Sequence, residues 1–357
     1  MTACTRIIGS NTVGTGIIAL TGDNQLTSLD DYKITTSWRS STRMVAAAKP
    51  PATAVKTGAP AGAHGAAGTG AAGSPTSEPS ATSVLIDKPD GMCGNGANGV
   101  VVFAGNNINY LSSIGNVQAT WKTLTSPAFA GNATSPGGIG GMVGDPITGL
   151  TALGYDLLGA QQVLQWLPPV PGDAGPAWKA KQAPPFTATL IAGDSTNGVL
   201  IVGLRHNGGS QAARSGPDCN CEWKPAISIP FNVAMMCGDA VNGFVFYGEG
   251  QMMSLDAKGV LTKLPCLNFS LTAMTGNAKD GVAAILVGGA IAYCLDVTKG
   301  VWMVIGGPAP EASAVAPADV SIVPAKAAGT QVAAAHVASH VAAPVADASA
   351  DAETAGM

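Results

Sequence analysis

Gly238-Asp239-Ala240-Val241-Asn242-Gly243 is the stretch whose reading decides the fold. The same Gly-(Asp/Asn)-x-x-x-Gly frame runs from Gly94-Asn95 to Gly99, Gly144-Asp145 to Gly149, Gly193-Asp194 to Gly198, and Gly276-Asn277 to Gly281. A weaker copy, Gly9-Ser10 to Gly14, opens the chain. The first glycines stand at 9, 94, 144, 193, 238 and 276, so the starts are 85, 50, 49, 45 and 38 residues apart. The long first interval holds a low-complexity stretch, residues 45–83, and without those 39 residues it shrinks to 46. A period of roughly 40–50 residues marks a repeat architecture.

Each frame lies between short apolar runs. Around the fifth copy these are residues 233–237, 243–247, 251–255 and 259–264; around the sixth they are 271–275, 281–287, 290–295 and 301–305. Short runs rich in Val, Ile, Leu, Phe and Tyr, punctuated by Gly, Asp and Asn, read as antiparallel strands. The frame is then the turn between the first and second strands. Its Asp or Asn accepts hydrogen bonds from nearby backbone N–H groups, and its glycines accept positive φ. Four strands per repeat and six repeats predict an all-β, six-bladed β-propeller of four-stranded antiparallel blades. The blades fall at about 4–44, 84–126, 139–185, 187–230, 231–266 and 270–305. In blade one the fourth strand is expected over 34–38; in blade two the first is expected at 84–86 or 92–93. Trp38, Trp121, Trp178, Trp223 and Trp302 lie in or beside fourth strands, where they are expected to pack between blades. Closure needs no strand borrowed from beyond blade six, although residues 320–323 are a β-prone fragment there.

Three turns between third and fourth strands resemble the Asp-box of sialidase-like propellers, Ser-x-Asp-x-Gly-x-Thr-Trp. They are Ser254-Leu255-Asp256 to Gly259, Asp296 to Gly300-Val301-Trp302, and Ser113-Ile114-Gly115 to Thr120-Trp121. That box is a signature of a turn and carries no catalytic meaning. As a whole, residues 4–305 look like the propeller modules of tailed-bacteriophage tails and particle decorations. The resemblance implies a structural or host-contact virion component. Its partners would be other virion proteins and a host surface glycan, within a symmetric assembly.

Composition narrows the functional classes. Charged residues are only 11% of the chain and the net charge is −4, so there is no basic footprint for nucleic acid. The longest apolar run, 282–295, is broken by Gly288-Gly289 and is too short to cross a bilayer. The opening Met1-Thr2-Ala3-Cys4-Thr5-Arg6 lacks the pattern of a secretory signal, so synthesis in the host cytoplasm and residence in the virion are expected. The seven cysteines form no metal-ligand pattern, and buried free thiols are expected at Cys93 and Cys237. Residues 45–83, poor in large apolar side chains, read as a flexible insertion, and 306–357 as an Ala/Pro-rich tail, disordered or partner-bound. Within that tail 331–342 has a weak helical pattern that spaces His336 and His340 four apart; solvated histidines are the expected reading.

Two groups of residues carry the candidate chemistry. The first is the turn ring, Ser10, Asn95, Asp145, Asp194, Asp239 and Asn277, expected to surround one mouth of the channel. Oxygen ligands of this kind suit hard cations, but a turn-capping role fully accounts for them. The second is the opposite face, where turns between second and third strands bring Asp156, Arg205, His206, Tyr247 and Glu249. The Pro/Gly-rich stretches 126–141 and 167–185 are expected on that face too. It is read as a partner or glycan rim, with Tyr155 and Tyr247 as its aromatic residues. A glycosidase would use Glu249 as acid and Asp156 as its partner. The five arginines are scattered, however, and no phosphate loop, nucleophile elbow, metal set or cofactor motif is present. The expected protein is therefore a non-enzyme without cofactor.

Overall fold

The sequence folds into β-meanders joined side by side. The computed structural model describes residues 4–9, 16–21, 25–29, 39–43, 89–112, 121–127, 129, 138–155, 159–168, 178–265, 267, 269–306 and 322–324. The insertion 45–83, Ser10, Trp38, Asp156, and the tail residues His336 and His340 lie outside these.

Blade one comprises β1 (Cys4–Gly9), β2 (Ile17–Thr21), β3 (Gln25–Leu29) and β4 (Arg39–Arg43). Blade two comprises β5 (Gly91–Asn95), β6 (Gly99–Ala104), β7 (Asn107–Leu111) and β8 (Lys122–Leu124). Blade three follows with β9 (Ile139–Asp145), β10 (Gly149–Tyr155), β11 (Gln161–Trp166) and β12 (Trp178–Ala180). In blade four these are β13 (Leu190–Asp194), β14 (Gly198–Leu204), β15 (Ser210–Ser215) and β16 (Ile227–Ile229). Blade five has β17 (Met235–Asp239), β18 (Gly243–Gly248), β19 (Gln251–Leu255) and β20 (Leu261–Lys263). Blade six has β21 (Leu271–Asn277), β22 (Gly281–Leu286), β23 (Ile291–Cys294) and β24 (Trp302–Gly306). Within every sheet the four strands lie in chain order and pair antiparallel, and no helix occurs among the described residues.

The ring is visible in the contacts of the first strands. β1 touches β5, β5 touches β9, β9 touches β13, β13 touches β17, β17 touches β21, and β21 returns to β1. At the closing seam Thr275 Oγ1 donates to the Gly9 carbonyl, and the Cys4 N–H donates to Gly289 at 3.2 Å. Both blades at this seam are built from their own strands. The fragment beyond blade six does form a strand, β25 (Ile322–Pro324), but it pairs parallel with β24 on the outer edge of the sheet. The first strand of blade two is the Met92 alternative, and two expectations shift. The fourth strand of blade one is described at Arg39–Arg43, the expected 34–38 lying outside the described residues. The stretch 167–185 straddles β12, so Leu167 leaves β11 on the Gly-Asp turn face rather than the opposite one.

The core lies between blades. Each of six apolar clusters joins one blade to the next: Ile18 with Val100 and Val102, Cys93 with Met142 and Leu150, and Cys237 with Val282 and Trp302 are examples. Covered on both faces, the second strands are nearly continuous apolar runs, and every residue of β18 and β22 is buried. Each fully buried Val, Leu, Ile or Phe there contributes about 1.5–3 kcal/mol. The tryptophans behave as expected where they are described. Trp302 is fully buried against Phe269, with ring centroids 5.6 Å apart. Trp178 and Trp223 donate Nε1–H to carbonyls of the preceding blade, Thr125 and Gln182, at 2.8 and 3.0 Å.

Candidate functional site

The first turns decide what surrounds the axis. In each, the first glycine has φ between +98° and +123°, and a Cβ there would sit 2.2–2.4 Å from the carbonyl oxygen of the closing glycine. Only glycine fits. The next residue then folds its side chain over the turn. Asn95 Oδ1 accepts from the N–H groups of Ala97 and Asn98, Asp145 from Ile147 and Thr148, and Asp194 from Thr196 and Asn197. Asp239 accepts from Val241 and Asn242, and Asn277 from Lys279 and Asp280, all ten bonds falling between 2.7 and 3.0 Å. The expected turn cap is realised in all five described copies. Blade one corrects the sequence reading: a Cβ on Gly9 would strike the carbonyl of Gly16, so Gly16, not Gly14, closes its turn. The extra two residues hid the match.

The second oxygens divide the ring into unequal parts. Asp145 Oδ2 accepts from Thr148 Oγ1 at 2.7 Å and from Asn98 and Asn95 Nδ2 at 3.1 and 3.4 Å, tying blades two and three. Asp194 and Asp239 Oδ2 each accept from one amide, Asn197 and Asn242, at 3.1 Å. In blade six the roles swap: Asn277 Nδ2 donates to Asp280 at 3.2 Å, and Asn277 is fully buried.

Beneath this ring lies a cavity of about 490 Å³, lined by first strands of all six blades. Asn95, Asp145, Asp194 and Asp239 line it, whereas Asn277 does not. Its wall carries a pattern that sequence reasoning missed. Two residues before the first glycine stand Ile7, Met92, Met142, Ile191, Met236 and Met274, one from each blade. The signal was readable, since four of the eleven methionines share one repeat position. Cys93 and Cys237, one residue further on, are buried free thiols as expected, and burial pushes both far up from the usual thiol range.

The opposite face assembles less. Arg205 and His206 sit on the turn after β14, where Arg205 N–H donates to Gly209 at 3.1 Å. Tyr247 is 8% exposed, its side chain in the core between blades five and six, so it does not serve this face. Glu249 takes φ 53°, and its Oε1 accepts from Asn232 N–H at 3.3 Å, fastening its own blade. Among the described residues no ion pair or hydrogen bond links Arg205 or His206 to Tyr247 or Glu249. Tyr155 is half-exposed at the end of β10, and its proposed neighbour Asp156 is outside the described residues.

Cations elsewhere serve as staples between blades. Arg6 donates to Pro89, and Arg214 to Asp256 and Ala257 while lying 5.3 Å above the Phe244 ring. Lys181, unremarkable in sequence, is 7% exposed; its ammonium donates to Gly216, Pro217 and Asp218 carbonyls at 3.0, 3.3 and 2.6 Å. Burial lowers its pKa, and the neighbouring Cys219, Cys221 and Asp218 partly offset that. No sequence signal announces this contact, because donor and acceptors are about 35 residues apart.

No family model matches the chain, and no curated protein matches it. Solved structures similar to it share little sequence identity with it. AofleA from Arthrobotrys oligospora is 8% identical, covering 81% of each chain, with a TM-score of 0.46. The SapL1 lectin in complex with alpha methyl fucoside is 10% identical over 82% of this chain and 92% of that one, TM-score 0.43. BBS1N in complex with ARL6DN is 14% identical over 83% and 81%, TM-score 0.42.

Proposed function

We propose that the chain is a non-catalytic binding propeller that acts through protein–protein contacts, as a structural or host-contact component of a virus-like particle. The observation that carries the reading is the apolar decoration of the Gly-Asp turn face. Ile147, Leu167, Val241, Val260, Leu295 and Val301 are each about half exposed there, on turns between first and second or third and fourth strands. Of the eight exposed Ile, Leu and Val side chains among the described residues six lie on this face, with Leu204 and Val287 on the other, and that excess favours a protein partner. The Oδ1 atoms of that face are already occupied by their own backbone and the Oδ2 atoms accept from neighbouring side chains, which suits a docking surface better than a reacting one. The low charge of the chain and its resemblance to phage propeller modules favour a particle as the setting.

A glycan rim on the opposite face is the second reading. It is favoured by half-exposed Tyr155 and by Arg205 and His206 on the next blade. The test is quantification of the protein in purified particles from the source culture, with immunolabelled electron microscopy. A fixed copy number at one location supports a virion component. Absence from particles overturns that setting, and Val241→Asp with Leu295→Asp then asks whether the face docks any protein during pull-down.

A further inference from the structure

The outer edges of the six blades are finished in different ways. A strand at the edge of a sheet presents a row of N–H and C=O groups to any extended chain, and proteins blunt such edges by shortening or charging them. Four outer strands, β8, β12, β16 and β20, are three residues long. Three of these carry a lysine, Lys122, Lys179 and Lys263. β4 is five residues long but reads Arg-Ser-Ser-Thr-Arg, with a cation at each end. β24 uses neither device. It is five residues long, Trp302-Met303-Val304-Ile305-Gly306, without a charge or a proline.

That is the edge on which β25 lies. Trp302, Met303 and Val304 stand opposite Ile322, Val323 and Pro324 in a parallel ladder. The edge that β25 presents in turn is three residues long and ends in a proline, which has no N–H to offer a further strand. β25 therefore covers the one outer strand that neither length nor charge protects. The cover is slight. Three residues make it, and the fifteen of 307–321 tether it to β24. Running back along β24 takes about 15 Å, whereas fifteen residues reach up to about 50 Å. The tether is thus long enough to carry Ile322–Pro324 to the β24 edge of an adjoining copy, where the strand meets an identical partner.

We propose that the outer edge of β24 is a strand-accepting site, filled by β25 in the isolated chain and by Ile322–Pro324 of a second copy when copies are crowded. The two states contain identical ladders, so concentration sets the balance between them; a tethered strand acts at an effective concentration on the order of 1 mM. The site is independent of whether the Gly-Asp turn face docks a protein. Its test uses the full chain carrying Met303→Cys and Val323→Cys, which face each other in the ladder, with unlabelled and isotope-labelled preparations mixed in equal amounts. A short bismaleimide joins the two thiols, and mass spectrometry reads the label on each half of the linked peptide. Uniformly labelled links are expected at about 0.01 mM, and mixed-label links should rise at least about tenfold by about 2 mM. An excess of a synthetic peptide of residues 319–326 should suppress both. Over the same range, sedimentation of the wild-type chain should show a dimer, and Val323→Pro, which breaks the short strand at its middle, should lose it. Uniform links at every concentration, no link between the two positions, or a dimer that Val323→Pro leaves intact overturns the assignment. A wild-type chain that stays monomeric at about 2 mM overturns it too, even if the cysteine variant fails to fold.

Discussion

The two faces of the ring are built from the same blades, yet they handle backbone strain in opposite ways. On the Gly-Asp face, five described turns repeat one solution: a glycine that tolerates no Cβ, then an Asx side chain folded back on the next two N–H groups. On the opposite face, Gly208 and Gly250 also have positive φ, but nothing lies within 4 Å of a Cβ added there. Glu249 shows that even a non-glycine is accommodated in one of those turns. The turns between first and second strands are dictated by packing, whereas Gly208 and Gly250 answer only to local backbone preference; Gly209, whose Cβ would strike the Ile229 carbonyl, is the exception on their face. Repetition on the first face therefore reports architecture, and what varies within it, carboxylate against amide, follows the partner each side chain meets: Asn197 and Asn242 donate to aspartates, while Asn277 donates to Asp280.

The sharpest way to break the contrast is a matched pair of substitutions. Gly238→Ala drives a methyl group to 2.3 Å from the Gly243 carbonyl oxygen at φ +123°, and is expected to cost about 3–5 kcal/mol in chemical denaturation. Gly250→Ala meets open space and should cost only about 1 kcal/mol, from φ alone. Similar losses at both sites would erase the distinction.

A second test concerns the thiols packed beneath the turn ring and in blade six. Burial raises Cys93 and Cys237 strongly and pushes Cys294 up to about 12, from an ordinary value of 9.0. Folded thiols thus keep their protons where unfolded ones lose them. Their contribution is fully present below pH 9 and is lost progressively as pH rises toward the folded values, so the denaturation midpoint should fall above pH 9. Cys237→Ala should flatten that fall; an unchanged slope would place its origin elsewhere.

Smaller effects sharpen the turn chemistry. Asp239→Ala removes a cap from two N–H groups and should cost about 1 kcal/mol, while Asp239→Asn should stay within about 0.5 kcal/mol. At Glu249, Glu→Gln keeps an acceptor for Asn232 N–H and should change stability by less than about 0.5 kcal/mol. Either prediction fails if thermal melts reverse the order.

What the sequence revealed follows from the range over which its chemistry acts. The Gly-Asx frame is a six-residue device, so the turns around Asp145, Asp194 and Asp239 were legible, and with them the blade period. The apolar runs of β18 and β22 were legible because burial on both faces leaves no alternation to misread. Blade one was misnumbered because its turn closes at Gly16, and its described fourth strand, Arg39–Arg43, carries no apolar patterning. The methionine wall was written in register with the glycines but needed the ring to become a surface. The clasp of Lys181 on three carbonyls, and the turning of Tyr247 into the core, depend on which blade stands next to which. No local pattern encodes that.

The closing seam has a consequence in chain entropy. Other seams join blades that follow one another in the chain, typically within about fifty residues, but the bond from Thr275 to Gly9 spans 266 positions. Loop-closure entropy rises by about 0.6 kcal/mol per doubling of length, so this seam begins about 1.5 kcal/mol behind the rest. Without a shared strand to bind first and last blades, side-chain packing and two hydrogen bonds make up that deficit. The ring is thus a chain of neighbours with one long-distance handshake, the seam at which closure entropy works hardest against the fold.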